Sequence, residues 1–208
     1  MGKKQWPLYV MITVFVVYWV FMAITPTDRM QWLMENILLV SVILVLLFTY
    51  KKFRLSQLSY LFIFIFLCFH TYGAHYTYQG TPFDVWLKGA LHTHRSYYDR
   101  VVHLLFGLLW AYPVREWLTR AGGMRGFWSY AMPVAVVFGF SAFFEIIEMG
   151  AAYVAGQVGQ EYVGMQGDVF DSEKDMGLGL IGAVIAMILL GWKRKQGESK
   201  SPLAPGRP

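Results

Sequence analysis

Asp99 and His103 are spaced four apart, Asp171 and Asp175 four apart, and Glu145 and Glu148 three apart. In a helix each pair shares one face. Carboxylates and imidazoles supplied from facing helices are the ligand set of divalent metal ions: hard oxygens suit magnesium, calcium or manganese, and imidazole shifts preference toward zinc or iron. His103, Glu145, Glu148 and Asp175 would make a direct ligand set, with Asp99 orienting His103. The same groups suit proton transfer, with Glu145 or Glu148 as general base and His103 as acid or ligand. No HExxH zinc signature is present.

A plainer reading uses the same residues. Asp99 and Arg100 can form an interfacial ion pair, and His103 can hydrogen-bond to Glu145 or Glu148 across helices. The aspartates from Asp168 onward can be a solvated helix start, with Asp168 or Ser172 as its cap. Each residue taken singly fits this reading at least as well as the functional one. The whole set fits it less well, because four helices of unrelated sequence contribute.

The elements that carry these residues belong to a membrane. Of the 208 residues 56% are hydrophobic, 18% aromatic and only 15% charged. A bilayer-crossing helix needs roughly 20 mostly apolar residues, and stretches at about 7–24, 32–50, 57–75, 99–118, 127–149 and 174–192 qualify. The expected fold is therefore all-α: a polytopic membrane protein with six transmembrane helices in one bundle spanning residues 1–195. The tail 196–208, rich in Gly, Ser and Pro, is expected to be a disordered cytoplasmic extension. No room is left for a soluble domain.

Lys3 and Lys4 precede the first apolar run, which is long for a signal h-region and lacks a good cleavage signature, so it reads as a retained helix. Basic residues flanking short loops are held on the cytoplasmic side. Lys3 and Lys4, then Lys51, Lys52 and Arg54, then Arg115, Arg120 and Arg125, and finally Lys193, Arg194 and Lys195 mark alternate ends, which puts both termini in the cytoplasm. The net charge of +5 is thus a topology signal spread over separate segments, and it does not indicate nucleic acid. Cys68, the single cysteine, excludes an intrachain disulfide.

The acids distribute differently. Of the 13 Asp and Glu residues, Glu116 and Glu198 fall on the basic side and Glu35 inside the second helix, leaving the rest at the opposite surface. At about 1.5 Å of rise per residue, His70 and His75 lie roughly 22 and 30 Å along the third span, and Glu145 and Glu148 roughly 27 and 32 Å along the fifth. Asp99, Arg100 and His103 open the fourth span there, and Asp168, Asp171 and Asp175 lead into the last. Ionisable groups at such a depth turn toward the bundle interior or a watery cavity. His70, His75, Asp99, Arg100, Asp168 and Asp171 are accordingly expected around the ligand set, as supporting or substrate-binding groups.

Two motifs carry no chemistry. GLGLIG at 177–182 matches a dinucleotide-binding spacing but follows no strand, so its glycines are expected to allow close helix packing. The aromatic run at 59–72 is ordinary for a membrane helix, apart from His70 and its neighbours Tyr72, His75 and Tyr76. His92 and His94, in the loop after TPFD, are expected to be solvated.

YDRVVHLLFG at 98–107, FEIIEM at 144–149 and GDVFDSEKDM at 167–176 resemble the motifs of the YjdF-like family of bacterial inner-membrane proteins. The resemblance covers roughly the second half; it implies an inner-membrane location and transfers no activity. More distantly the same half is similar to the VanZ-like pattern, with Arg100 at its lysine position, Glu148 at its glutamine, Gly179 at its asparagine and Gly182 with Ala183 at its glycine pair. Those proteins are associated with teicoplanin resistance, which implies work in the cell envelope.

Three functions remain open on the sequence. The chain is expected to be an envelope protein with a polar, metal-binding pocket near the outer face. A metal-dependent hydrolase acting on a lipid or lipid-linked substrate, with turnover lost on changing either glutamate, is one alternative. A proton- or cation-linked transporter component is the other, for which Pro133 within the fifth span is the one supporting irregularity. Expected partners are membrane lipids and a lipid-linked or amphiphilic ligand.

Overall fold

A computed structural model describes residues 5–92, 96–155 and 170–200. Among them the chain is all helical, with no strand: α1 (Trp6–Ala23), α2 (Arg29–Tyr50), α3 (Gln57–His75), α4 (Pro82–Leu91), α5 (Tyr98–Arg120), α6 (Trp128–Ala155) and α7 (Asp171–Lys200). Starts are set by side-chain caps that satisfy the first free N–H groups. Asp28 accepts from Gln31 N at 2.7 Å and Ser56 from Ser59 N at 3.2 Å.

Five helices, α1, α2, α3, α6 and α7, are long and apolar enough to cross a membrane. The expected fourth span, at 99–118, falls in α5, which is not among them; α5 carries Asp99, Arg100, Arg115, Glu116 and Arg120 along its 23 residues. It is nonetheless the central helix, packing against α3, α6 and α7. The last helix runs as far as Lys200, and residues 201–208 lie outside the described residues. A short amphipathic helix, α4, occupies the segment after Thr81 that reads as a loop in the sequence. Phe48 is 78% exposed and Phe21 67%, an outer surface suited to lipid and not to water.

Contacts fix the helix directions. Tyr50 at the end of α2 donates to Gln5 before α1 at 3.2 Å, and His75 at the end of α3 meets Met22 at the end of α1. Ser56 before α3 meets Glu116 near the end of α5. The start of α1 and the end of α7 therefore lie at the same end, together with Lys51, Lys52, Arg54 and Arg120. That end is clasped by Glu116, which accepts from Ser56 N–H at 2.9 Å and from the Ser59 hydroxyl at 2.5 Å and pairs with Arg120.

Two apolar clusters share α5. Phe15, Leu39, Ile63, Phe66, Leu67, Tyr98, Val102 and Leu109 join α1, α2, α3 and α5, and Ala111, Val137, Ala183 and Met187 join α5, α6 and α7. In lipid, apolar burial does little to hold helices together, so close packing of small residues takes over. A Cβ on Gly107 would overlap the Gly179 carbonyl, and one on Gly182 would overlap the Leu104 carbonyl. The GLGLIG glycines thus serve packing, although Gly177 faces open space.

Candidate functional site

The site is assembled at the end opposite the Glu116 clasp. Its frame starts with Asp84, a fully buried carboxylate on α4. Asp84 accepts from Tyr97 N at 2.8 Å and Tyr98 N at 3.0 Å, and from the Ser96 hydroxyl, so it caps α5 from a neighbouring helix. Thr81, itself capping α4 through Asp84 N at 3.1 Å, fixes that carboxylate. The signal lay in TPFD, whose threonine and aspartate have capping-box spacing.

With α5 anchored, Asp99 and His103 lie on one face, His103 Nε2 standing 3.7 Å from Asp99 Oδ1. The same nitrogen is 3.3 Å from Glu145 Oε1 of α6. Asp175 joins from α7: one ligand atom each of Asp99, His103 and Asp175 lie within 4.8 Å of one another. A cation bound at 2.0 to 2.6 Å holds its ligands within about 5 Å of each other, so this spacing is of coordination size. Asp175 and Glu145 are buried; Asp175 Oδ1, shielded from solvent, has no hydrogen-bond partner, and Glu145 Oε1, equally shielded, has only the His103 ring nitrogen at 3.3 Å beside it. Buried carboxylate oxygens without a donor are costly unless a cation or proton compensates them.

Arg100 pairs with Asp171 of α7 at 2.7 Å, tying the first turns of α5 and α7 together. Arg100 also lies within electrostatic reach of Asp99, its expected partner, while its hydrogen bond goes to Asp171. Glu148, half-buried one turn after Glu145, lies within electrostatic reach of Asp99, Glu145, Glu35 and Asp175. His75 sits apart, its Nδ1 2.7 Å from the Met22 carbonyl oxygen and its ring against Tyr76. Asp168 and His94 lie outside the described residues, and His92 is exposed at the end of α4.

A second group of polar side chains adjoins the first. His70, buried in α3, lies with Nε2 3.1 Å from the Glu35 carbonyl oxygen and 4.0 Å from Glu35 Oε2, and its Nδ1 is 2.6 Å from the Tyr78 hydroxyl. Tyr78 is within electrostatic reach of Glu35, Asp99 and Glu148, and His70 within reach of His103. Sequence reasoning placed His70 near the site but missed Glu35 and Tyr78. Glu35 was detectable as the sole charged residue within the apolar stretch 32–50; nothing in the sequence marked Tyr78.

The family model described as predicted membrane protein (DUF2238) matches residues 7–196. The chain belongs to this family. It is 34% identical over 172 residues to the inner membrane protein YjdF of Escherichia coli (strain K12), covering 82% of each chain. No solved structure matches. Membership extends the likeness noted in the second half across the first, so α1 to α3, which bring Glu35 and His70, lie within the family's extent. The protein is a YjdF-like, multi-pass membrane protein.

Proposed function

We propose that this chain is an inner-membrane protein of the cell envelope that binds a divalent metal ion through Asp99, His103 and Asp175, with Glu145 as a further ligand and Glu148 beside it. The observation that carries this reading is the coordination-sized approach of three ligand atoms, one from Asp175, whose shielded Oδ1 lacks a hydrogen-bond donor. Among the described residues, five carboxylates from α5, α6 and α7 gather near one guanidinium, Arg100, and such an excess of negative charge favours a cation as occupant. One imidazole among oxygens suits manganese, iron or zinc better than magnesium or calcium.

The bundle is oriented with the Glu116 end and both termini in the cytoplasm, following its lysines and arginines, so the metal faces the outer leaflet. A site so placed is reached by lipid headgroups and lipid-linked molecules. Three protein ligands, or four with Glu145, leave room for a water or a ligand oxygen on the ion.

Elemental analysis of the detergent-purified protein tests the reading. A near-stoichiometric transition metal in the native chain, lost in a folded Asp175→Asn variant, is the expected result. Absence of metal after incubation with manganese, iron and zinc, with the protein folded, would overturn it.

A further inference from the structure

Tyr78 is held in place at a conformational cost. Thr77 and Tyr78 adopt φ of 58° and 55°, left-handed backbone at two consecutive residues that are not glycine. Such geometry persists where the surroundings enforce it, and it clusters at functional sites. The tyrosine ring folds back on α3 over Gly73, where a Cβ would stand only 2.7 to 2.9 Å from ring carbons. A main-chain bond from Tyr78 N to the Gly73 carbonyl at 2.7 Å locks the turn. Turn and glycine together deliver one hydroxyl to a buried histidine.

The hydrogen bonds around that histidine fix what the hydroxyl can do. The Glu35 carbonyl can only accept, so His70 Nε2 carries the proton and Nδ1 is an acceptor. Tyr78 therefore donates its O–H to Nδ1. Burial pushes the Tyr78 phenol well above its usual range, which keeps that proton in place. The phenol oxygen is left with acceptor capacity; its ring lies 6.1 Å from that of Tyr98, the neighbour of Asp99, and Asp99, Glu35 and Glu148 are within electrostatic reach. A water on a cation presents its hydrogens to such an acceptor, strengthened as donors by the metal.

We infer that Tyr78, oriented by His70, is a positioning residue of the metal site whose phenol oxygen anchors a water carried by the bound ion. The inference rests on the cation reading above and adds α2, α3 and the turn after α3 to the site. Residues that orient the coordination sphere in this way typically govern metal affinity about 10- to 100-fold.

The test uses the full chain in detergent, loaded with Mn2+, and compares the native protein with Tyr78→Phe and His70→Gln by free-Mn2+ titration and by solvent-proton relaxation of the bound ion. Tyr78→Phe keeps the ring against Gly73, and thermal unfolding verifies its fold. The expected result is an affinity weaker by about 10-fold or more in both variants, with altered relaxation from faster exchange of the coordinated water. Unchanged affinity and relaxation in a folded Tyr78→Phe protein would overturn this inference alone. A native protein that binds no Mn2+ would overturn the cation reading and this inference with it.

Discussion

Gly107 and Gly179 meet backbone to backbone, each four residues after a site residue: Gly107 follows His103, and Gly179 follows Asp175. The helices α5 and α7 run parallel through this contact, so one turn toward their starts His103 and Asp175 face each other. A second turn brings Asp99 to the level of Asp171. A crossing made by two glycines thus sets the register of the candidate ligands.

Substitution should grade with what a Cβ would strike. Gly107→Ala and Gly182→Ala press on backbone, which cannot rotate away, and are expected to cost about 3 kcal/mol or more. Gly179→Ala meets the Ser141 hydroxyl at 2.9 Å, a movable side-chain atom, and should cost about 1 kcal/mol. Gly177→Ala meets nothing within 4 Å and should gain about 0.5 to 1 kcal/mol of helix stability. Thermal unfolding in one detergent ranks the four; equal losses at 177 and 107 would refute the glycine account.

Much of the site was legible because helical periodicity is legible: spacings of three and four put Asp99 with His103, Glu145 with Glu148 and Asp171 with Asp175 on shared faces. Which helices touch was not, since the α5 to α7 contact is made by glycines whose spacing also fits other motifs. The Arg100 to Asp171 bond spans 71 positions, a separation that no local pattern encodes. Tyr78 was invisible because its role depends on two left-handed residues that sequence preferences disfavour. The first half, apolar and unspecific as a sequence, contributes Glu35 and His70 only through packing.

Asp84 holds the start of α5 by accepting from two backbone N–H groups and a hydroxyl in a fully buried setting. Asp84→Ala leaves those donors unpaired and should destabilise the fold by about 2 to 4 kcal/mol, with Asp84→Asn costing less. Because the cap sets the position of Asp99, Asp84→Asn should also weaken metal binding while the protein remains folded. Chemical unfolding and Mn2+ titration of the same preparation separate the two effects.

Glu116→Gln provides the opposite control. It removes the charge that receives Ser56 N–H and the Ser59 hydroxyl at the far end of the bundle, and should cost about 1 to 3 kcal/mol. Metal content should be unchanged, because the clasp and the site share no residue. A parallel loss of metal would show that the two ends are coupled.

The raised Tyr78 phenol has a pH consequence with a definite sign. Folding favours its neutral form, so this contribution is complete below the ordinary tyrosine value of 10.0. It declines as pH rises above that, where the unfolded chain releases the proton and the native chain does not. Melting temperature should fall between pH 10 and 12 less steeply in Tyr78→Phe than in the native protein. Identical slopes would place the phenol in contact with water.

The central claim is that Asp99, His103 and Asp175 hold one metal ion, and an anomalous difference map of Mn2+-soaked crystals tests it most directly. The account predicts a single strong peak about 2.0 to 2.6 Å from a ligand atom of each of the three. A protein that crystallises folded with Mn2+ and shows no peak there, or a peak elsewhere in the bundle, would contradict it.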